Sequence, residues 1–162
     1  MYRQILHAAR IVAASGWLAA LPALAGTQAL PASEGVVTVR SAFSVLETVA
    51  RIRKAVSEKG ITFFGAVDQA ALGANAGLHV RSSILLMFGN PALGVQFLAA
   101  NPLAGLDWPV RLLVIEDDQG QVWTAYTDFA WIAQRHHIAS SNAAFAMATK
   151  VVGSINDAVR AP

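Results

Sequence analysis

The chain has 162 residues and a mass of 17.1 kDa, the size of a single domain, because chains divide into several domains only at greater length. Hydrophobic residues make up 55%, charged residues 14%, and cysteine is absent, which excludes a disordered or fibrous protein, disulfides and thiolate catalysis. The net charge of +2 comes from Arg3 and Arg10, so the rest of the chain is neutral and offers no basic surface for nucleic acid.

Residues 1–25 have the pattern of a secretory signal peptide. Two arginines lie in the first ten residues, and the apolar run 11–24 is shorter than the roughly 20 residues that span a bilayer. Ala23-Leu24-Ala25 is a small-x-small cleavage site. We therefore predict a periplasmic or secreted protein that begins at Gly26 and has no stable membrane anchor after cleavage. The alternative is an uncleaved anchor or a buried helix.

The first elements of the mature chain follow a flexible lead-in over residues 26–35. The β-branched run Val36–Val39 predicts a strand. Ser44 and Glu47 have the spacing of a capping box, in which the serine caps a helix and the glutamate bonds back to it. Apolar residues then recur at helical spacing, and Gly60 predicts the end of this helix.

The central segment contains two strand signals and two helix signals. Ile61–Val67 predicts a second strand, and the alanine-rich Asp68–Asn75 predicts a short helix or turn. Ser83–Phe88 includes five consecutive large apolar residues, a pattern typical of a strand that is buried on both faces. Asn90-Pro91 predicts a helix start, with asparagine as the cap and proline at the first helical position.

The last third of the chain predicts a hairpin and two helices. Val110–Glu116 and Gln121–Thr127 flank a turn that ends in glycine. Asp128 predicts the cap of a short helix through Arg135, and an amphipathic helix follows Ser140 or Ser141. The sum is about five strands and four helices, so the fold class is α+β. We predict a single antiparallel sheet over residues 36–162 with helices packed on one face.

No motif of a known catalytic, phosphate or metal site occurs, so we predict no catalytic residue, metal or cofactor. Gly89, Gly94 and Gly105 are too widely spaced to hold a phosphate and are assigned to turns and close packing. His136 and His137 are neighbours and would point about 100° apart on a helix, which does not suit one metal ion.

Two carboxylates, Asp68 and Glu116, each follow an apolar strand. In a shared pocket, desolvation would raise the pKa of one of them and create an acid–base pair. The simpler interpretation, which we favour, is that both lie at solvated strand ends and cap turns.

Three segments resemble one protein family: Phe64–Asp68, Leu86–Gly94 with its F-G-N-P-x-x-G run, and Leu106–Asp117 with its Asp-Trp-Pro strand entry. They are similar to domain-of-unknown-function family 302, a group of small α+β domains, and the likeness extends from about Val36 to Ala161. The resemblance implies a curved sheet backed by helices, of the TATA-binding-protein-like or helix-grip-like class, and often a homodimer. It implies no established reaction.

One departure from that family bears on function. The family usually has Asp-His where this chain has Asp68-Gln69, and glutamine cannot serve as an acid–base group. We therefore expect a periplasmic accessory protein that binds a small molecule or a partner protein. The alternatives are a structural homodimer that acts through protein contacts, and an enzyme that uses Asp68 and Glu116.

For a ligand site, the sequence predicts a floor formed by Phe64 and Phe88, with Asp68, Asn90 and Glu116 as its polar groups. The reason is that two strand ends and the helix start at Asn90 are expected to meet there. Unpaired backbone N–H groups at that helix start would favour a carbonyl or anionic group of the ligand.

Overall fold

The computed structural model describes residue 30 and residues 33–139 and 143–160. The predicted signal peptide, its cleavage site and most of the predicted lead-in lie outside these residues. The described strands are β1 (Val36–Arg40), β2 (Thr62–Asp68), β3 (Ser83–Gly89), β4 (Val110–Glu116) and β5 (Val122–Thr127). They form one antiparallel sheet in the order β1-β5-β4-β3-β2, so β1 and β2 are its edges.

The described helices are α1 (Val45–Glu58), α2 (Gln69–Asn75), α3 (Pro91–Ala100), α4 (Phe129–Arg135) and α5 (Ala143–Asn156). Short 3₁₀ helices cover Pro102–Asp107 and Asp157–Val159. The predicted α+β fold with one antiparallel sheet is therefore confirmed. The 3₁₀ helix before β4 was not predicted from the sequence.

Short polar side chains start three of the helices, as the sequence predicts. Ser44 accepts a hydrogen bond from the Glu47 N–H (3.3 Å), and Asp128 accepts one from the Ala130 N–H (2.6 Å). Asn90 caps α3 in the same way. The predicted capping box is only half formed, because the Glu47 carboxylate accepts a hydrogen bond from Arg51 (2.8 Å).

One face of the sheet carries the hydrophobic core. Leu86 and Phe88 of β3 and Leu112 and Val114 of β4 are almost completely buried there. The buried residues of α1, α3, α4 and α5 belong to the same cluster, and α2 contributes none. Burial of each large side chain of this kind stabilises the fold by about 1.5–3 kcal/mol.

The second face of the sheet is apolar but less covered. Leu85 and Met87 alternate with the buried residues of β3, and Leu85 pairs with Leu113 of β4. These side chains are half-buried, which corrects the prediction that β3 is buried on both faces. The cause is that α1, α3, α4 and α5 pack on the other face, whereas α2, which contacts β3, has no buried residue of its own.

Edge strand β2 contains an irregularity that the sequence did not predict. Its register with β3 shifts between Phe63 and Gly65, which is the mark of a β-bulge. Phe64 lies at the shift, and 47% of its surface is exposed.

Candidate functional site

A cavity of about 580 Å³ lies between α3, α5 and the end of β3. Its walls are mainly apolar and include Phe88, Leu93, Trp108, Met147 and Val151. The elements that form it come from distant parts of the sequence, since α5 follows α3 by more than forty residues. A cavity of this volume and lining is typical of a site for a small apolar molecule.

Trp108 forms one wall of this cavity, and two glycines determine where its indole lies. A Cβ atom at Gly89 would lie 3.0 Å from the indole nitrogen Nε1, and one at Gly94 would overlap the ring. The two glycines of the F-G-N-P-x-x-G run therefore allow the indole to pack directly against the backbone. This confirms the close packing predicted for Gly89 and Gly94.

Phe64 contacts Trp108 but does not line the cavity. The two rings meet edge to face, with 5.6 Å between their centroids. Such aromatic pairs are worth about 0.5–1.5 kcal/mol beyond the area they bury. Of the two predicted floor residues, Phe88 lines the cavity directly and Phe64 supports its tryptophan wall.

Asn90 lines the cavity and also caps α3. Its Oδ1 atom accepts hydrogen bonds from the N–H groups of Ala92 (2.9 Å) and Leu93 (3.3 Å). The prediction that unpaired N–H groups at this helix start would hold a ligand is therefore corrected, because the cap already occupies two of them. The polar group that Asn90 still offers to the cavity is its Nδ2 amide, a hydrogen-bond donor.

Asp68 and Glu116 lie at the other end of the sheet. Asp68 pairs with Ile84 at the start of β3, and Glu116 ends β4 opposite Val122. Because β3 lies between β2 and β4, two strand spacings of about 10 Å in total separate the two carboxylate-bearing strands. Asp68 accepts a hydrogen bond from the Ala71 N–H (2.9 Å) and thus caps α2. The structure brings Phe88 and Asn90 together and leaves Asp68 and Glu116 apart from them.

Comparison with known proteins identifies the family. The family model described as "Domain of unknown function DUF302" matches residues 37–161. The chain belongs to this family. The crystal structure of an uncharacterized conserved DUF302 protein from Bacillus stearothermophilus superposes with a TM-score of 0.72 and 18% identity, covering 79% of this chain and all of that one. A likeness at that identity shows the fold only.

Curated relatives of the DUF302 chain are longer proteins. It is 40% identical over 108 residues to "Fluoride-specific ion channel FluC 1" of Brucella suis, covering 67% of this chain and 42% of that protein. The match to "Fluoride-specific ion channel FluC 2" of Brucella melitensis has the same identity and covers 40% of that protein. The chain thus spans about two-fifths of these relatives. Within its own described residues, no helix has the length and apolar character needed to cross a bilayer.

The DUF302 domain contains a buried Asp–His pair that was not predicted from the sequence. His136 Nε2 and Asp107 Oδ2 are 2.6 Å apart, and both side chains are buried. Arg111 and Arg135 approach the same carboxylate at 3.2 and 3.4 Å. The pair ties the 3₁₀ helix before Trp108 to α4. Its members are 29 residues apart in the chain, so no local pattern could reveal it.

The two adjacent histidines have separate environments. His136 is buried beside Asp107, whereas His137 is exposed and has a φ of 53°. Over the ranges 33–139 and 143–160, no group of three or more His, Asp or Glu side chains is placed to hold a metal ion.

The hairpin between β4 and β5 contains a second polar cluster, centred on Asp117. The indole N–H of Trp123 donates to Asp117 Oδ2 (2.8 Å), and the N–H groups of Gln119 and Gln121 donate to Oδ1. Burial acts to raise the pKa of Asp117, but these three hydrogen bonds and the charge of Arg40 together lower it below its ordinary value. The cluster fixes the turn between β4 and β5, where the sequence predicts a hairpin.

Proposed function

We propose that this DUF302 chain is a periplasmic or secreted accessory protein that binds a small molecule in the cavity between α3 and α5. The observation that carries the proposal is the cavity itself, about 580 Å³ with mainly apolar walls. Ligand sites of proteins commonly have this size, this composition and a few polar groups at fixed positions. The protein performs no reaction of its own in this proposal, since Asp68 and Glu116 lie on strands separated by β3.

A membrane protein is the proposed partner of the module. The supporting fact is that proteins named as fluoride-specific ion channels contain a region similar to this chain over about two-fifths of their length. Because such relatives join a similar region to further sequence, this domain is suited to work beside a membrane protein. Export is part of the proposal, and N-terminal sequencing of the periplasmic protein is expected to start at Gly26; a start at Met1 would contradict it.

Ligand binding can be tested with N-phenyl-1-naphthylamine, an uncharged apolar dye that fluoresces in apolar sites. Ala92 is exposed and lines the cavity at the start of α3, so Ala92→Trp places a large side chain at its mouth. We expect saturable binding of one dye by the wild type and its loss in Ala92→Trp. Ala50→Trp on the exposed surface of α1 is the matched control and should bind normally. Equal binding by Ala92→Trp and wild type would overturn the proposal.

A second candidate function, a structural homodimer, is favoured by the second face of the sheet. The apolar run of β3 has the composition of a strand covered on both sides, yet Leu85 and Met87 are only partly buried, as are Leu113 and Ile115 of β4. A second copy that packs the same face against this one would cover all four. Two antiparallel sheets that pack face to face in this way form a familiar sandwich.

The dimensions of this face agree with such a pairing. Five strands of five to seven residues give a face of about 25 by 20 Å, so two copies would bury about 1,000 Å² in total. That value is at the lower limit for a specific interface. We expect sedimentation equilibrium at tens of micromolar to show a dimer for the wild type and for Ala50→Lys, and a monomer for Leu113→Lys. A wild type that remains monomeric would contradict the dimer.

A further inference from the structure

The polar groups around the cavity differ in whether they are already bonded within the protein. Gln96 donates to the Ala92 carbonyl (3.2 Å), and Ser154 donates to the Val151 carbonyl (2.9 Å). The Nδ2 amide of Asn90 and the ammonium of Lys59 have no such acceptor among the described residues. Both of these groups are donors, and neither aspartate nor glutamate occurs among the described lining residues.

Lys59 reaches the cavity because α1 ends beside it. Lys59 is the C-cap residue of α1, and the following residues lead into β2, where Thr62 pairs with Gly89 next to Asn90. The register therefore places Lys59 and Asn90 at the same end of the sheet. Each cation of α1 has a partner, since Arg51 pairs with Glu47, Lys54 pairs with Glu58, and the guanidinium of Arg53 lies over the ring of Phe63. No ion pair involves Lys59 within the described part of the chain.

We infer that the ligand is an amphiphile with one anionic head group, such as a carboxylate on an aliphatic chain. This inference rests on the proposed binding function and names the class of molecule. The apolar body lies between α3 and α5, and the acid group meets the Lys59 ammonium and the Asn90 amide. One cation and one neutral donor match a single negative charge, and a cationic head would meet no carboxylate there.

The competing explanation of Lys59 is purely structural. A cation at the C-terminus of a helix is stabilised by the helix dipole, by about 0.3–1 kcal/mol at an exposed site. That role needs no ligand and predicts no selectivity between ligands. The two explanations therefore differ in a measurable way.

The test compares three competitors that share a ten-carbon chain and differ in the head group: decanoate, decanol and decyltrimethylammonium. Each compound is titrated into the full mature chain with bound N-phenyl-1-naphthylamine at pH 7.5, and the loss of dye fluorescence measures how strongly it competes. We expect decanoate to compete about fivefold more strongly than decanol, as one partly exposed ion pair allows, and decyltrimethylammonium to compete least. In Lys59→Met the decanoate preference should disappear. Lys54→Met, on the same helix but outside the cavity, should retain it.

The outcomes separate this inference from the proposed function. Absence of dye binding by the wild type means that the cavity is not a binding site, and both ideas fall. Dye binding with equal competition by decanoate and decanol, or an unchanged preference in Lys59→Met, overturns the anionic head group and leaves the binding function in place. Loss of the preference in Lys59→Met, but not in Lys54→Met, supports the inference.

Discussion

Two tryptophans lie at opposite ends of the sheet and are held by different forces. Trp108 precedes β4, and its indole packs against the backbone at Gly89 and Gly94. Trp123 pairs with Ile115 near the other end of β4, and its indole N–H donates to Asp117. Shape alone positions the first ring, whereas a carboxylate positions the second. The end held by shape should respond to added volume, and the end held by a carboxylate should respond to pH.

The largest effect is expected at the Trp108 end, from Gly94→Ala. The new methyl group would overlap the indole, so α3 or Trp108 must move, at a cost of about 3 kcal/mol. Urea denaturation measures this loss. Gly153→Ala is a matched control, because Gly153 also lies inside a helix but has open space around its Cβ position. That change should stabilise the protein by about 1 kcal/mol, the difference in helix propensity. Equal effects at the two positions would remove the packing argument.

A pH-dependent effect is expected at the other end, from Trp123→Phe. In the folded protein the pKa of Asp117 lies below its ordinary value of 3.8. The stability from this carboxylate is therefore fully present above about pH 4 and is lost as the pH falls through the lowered pKa. Trp123→Phe removes one of the groups that lower the pKa, so the variant should be less stable than the wild type at pH 7, with the difference narrowing in acid.

The control for this experiment is a tryptophan whose indole N–H does not bond to a carboxylate. The structure gives Trp131 no side-chain hydrogen bond within residues 33–139, and its ring lies near Arg135. Thermal unfolding of Trp131→Phe between pH 2.5 and 7 should show a difference from the wild type that does not change with pH. The same constant difference for Trp123→Phe would show that Asp117 does not hold that ring.

The smallest effect concerns the backbone beside the Trp108 end, where His136 is the C-cap residue of α4. The next residue, His137, has a φ of 53°, and the N–H groups of His137 and Ile138 bond back into the last turn. Gly60 occupies the equivalent position after α1 with a φ of 63°. Glycine adopts this conformation without strain, so His137→Gly should stabilise the protein by about 0.5–1 kcal/mol. Gly60→Ala should destabilise the protein by a similar amount. Destabilisation by His137→Gly would instead indicate a contact made by its imidazole.

Local signals in the sequence predicted most of the fold. The caps at Ser44, Asn90 and Asp128 act on N–H groups two or three residues away, so their spacing is sufficient to locate helix starts. The bounds of β4 were predicted without error, because alternation and turn residues are also local. The prediction that β3 is buried on both faces was wrong. Burial of the second face of β3 depends on where helices from distant parts of the chain pack, and the residues of β3 alone do not determine it.

The candidate site was predicted less well for the same physical reason. Phe88 and Asn90 are neighbours in sequence and remain neighbours at the cavity. Asp68 and Glu116 were grouped with them because each ends a strand, but in an antiparallel sheet successive strands finish at opposite ends of the sheet. Lys59 was overlooked, since its place at the cavity depends on the pairing of β2 with β3. Strand order was the missing information.

The bulge at Phe64 in edge strand β2 has a consequence for how copies of this protein associate at high concentration. A flat edge exposes a regular ladder of backbone groups on which further chains can polymerise. Here the register shift between Phe63 and Gly65 breaks that ladder in the middle of the strand. The bulge therefore opposes the growth of filaments by strand addition at β2.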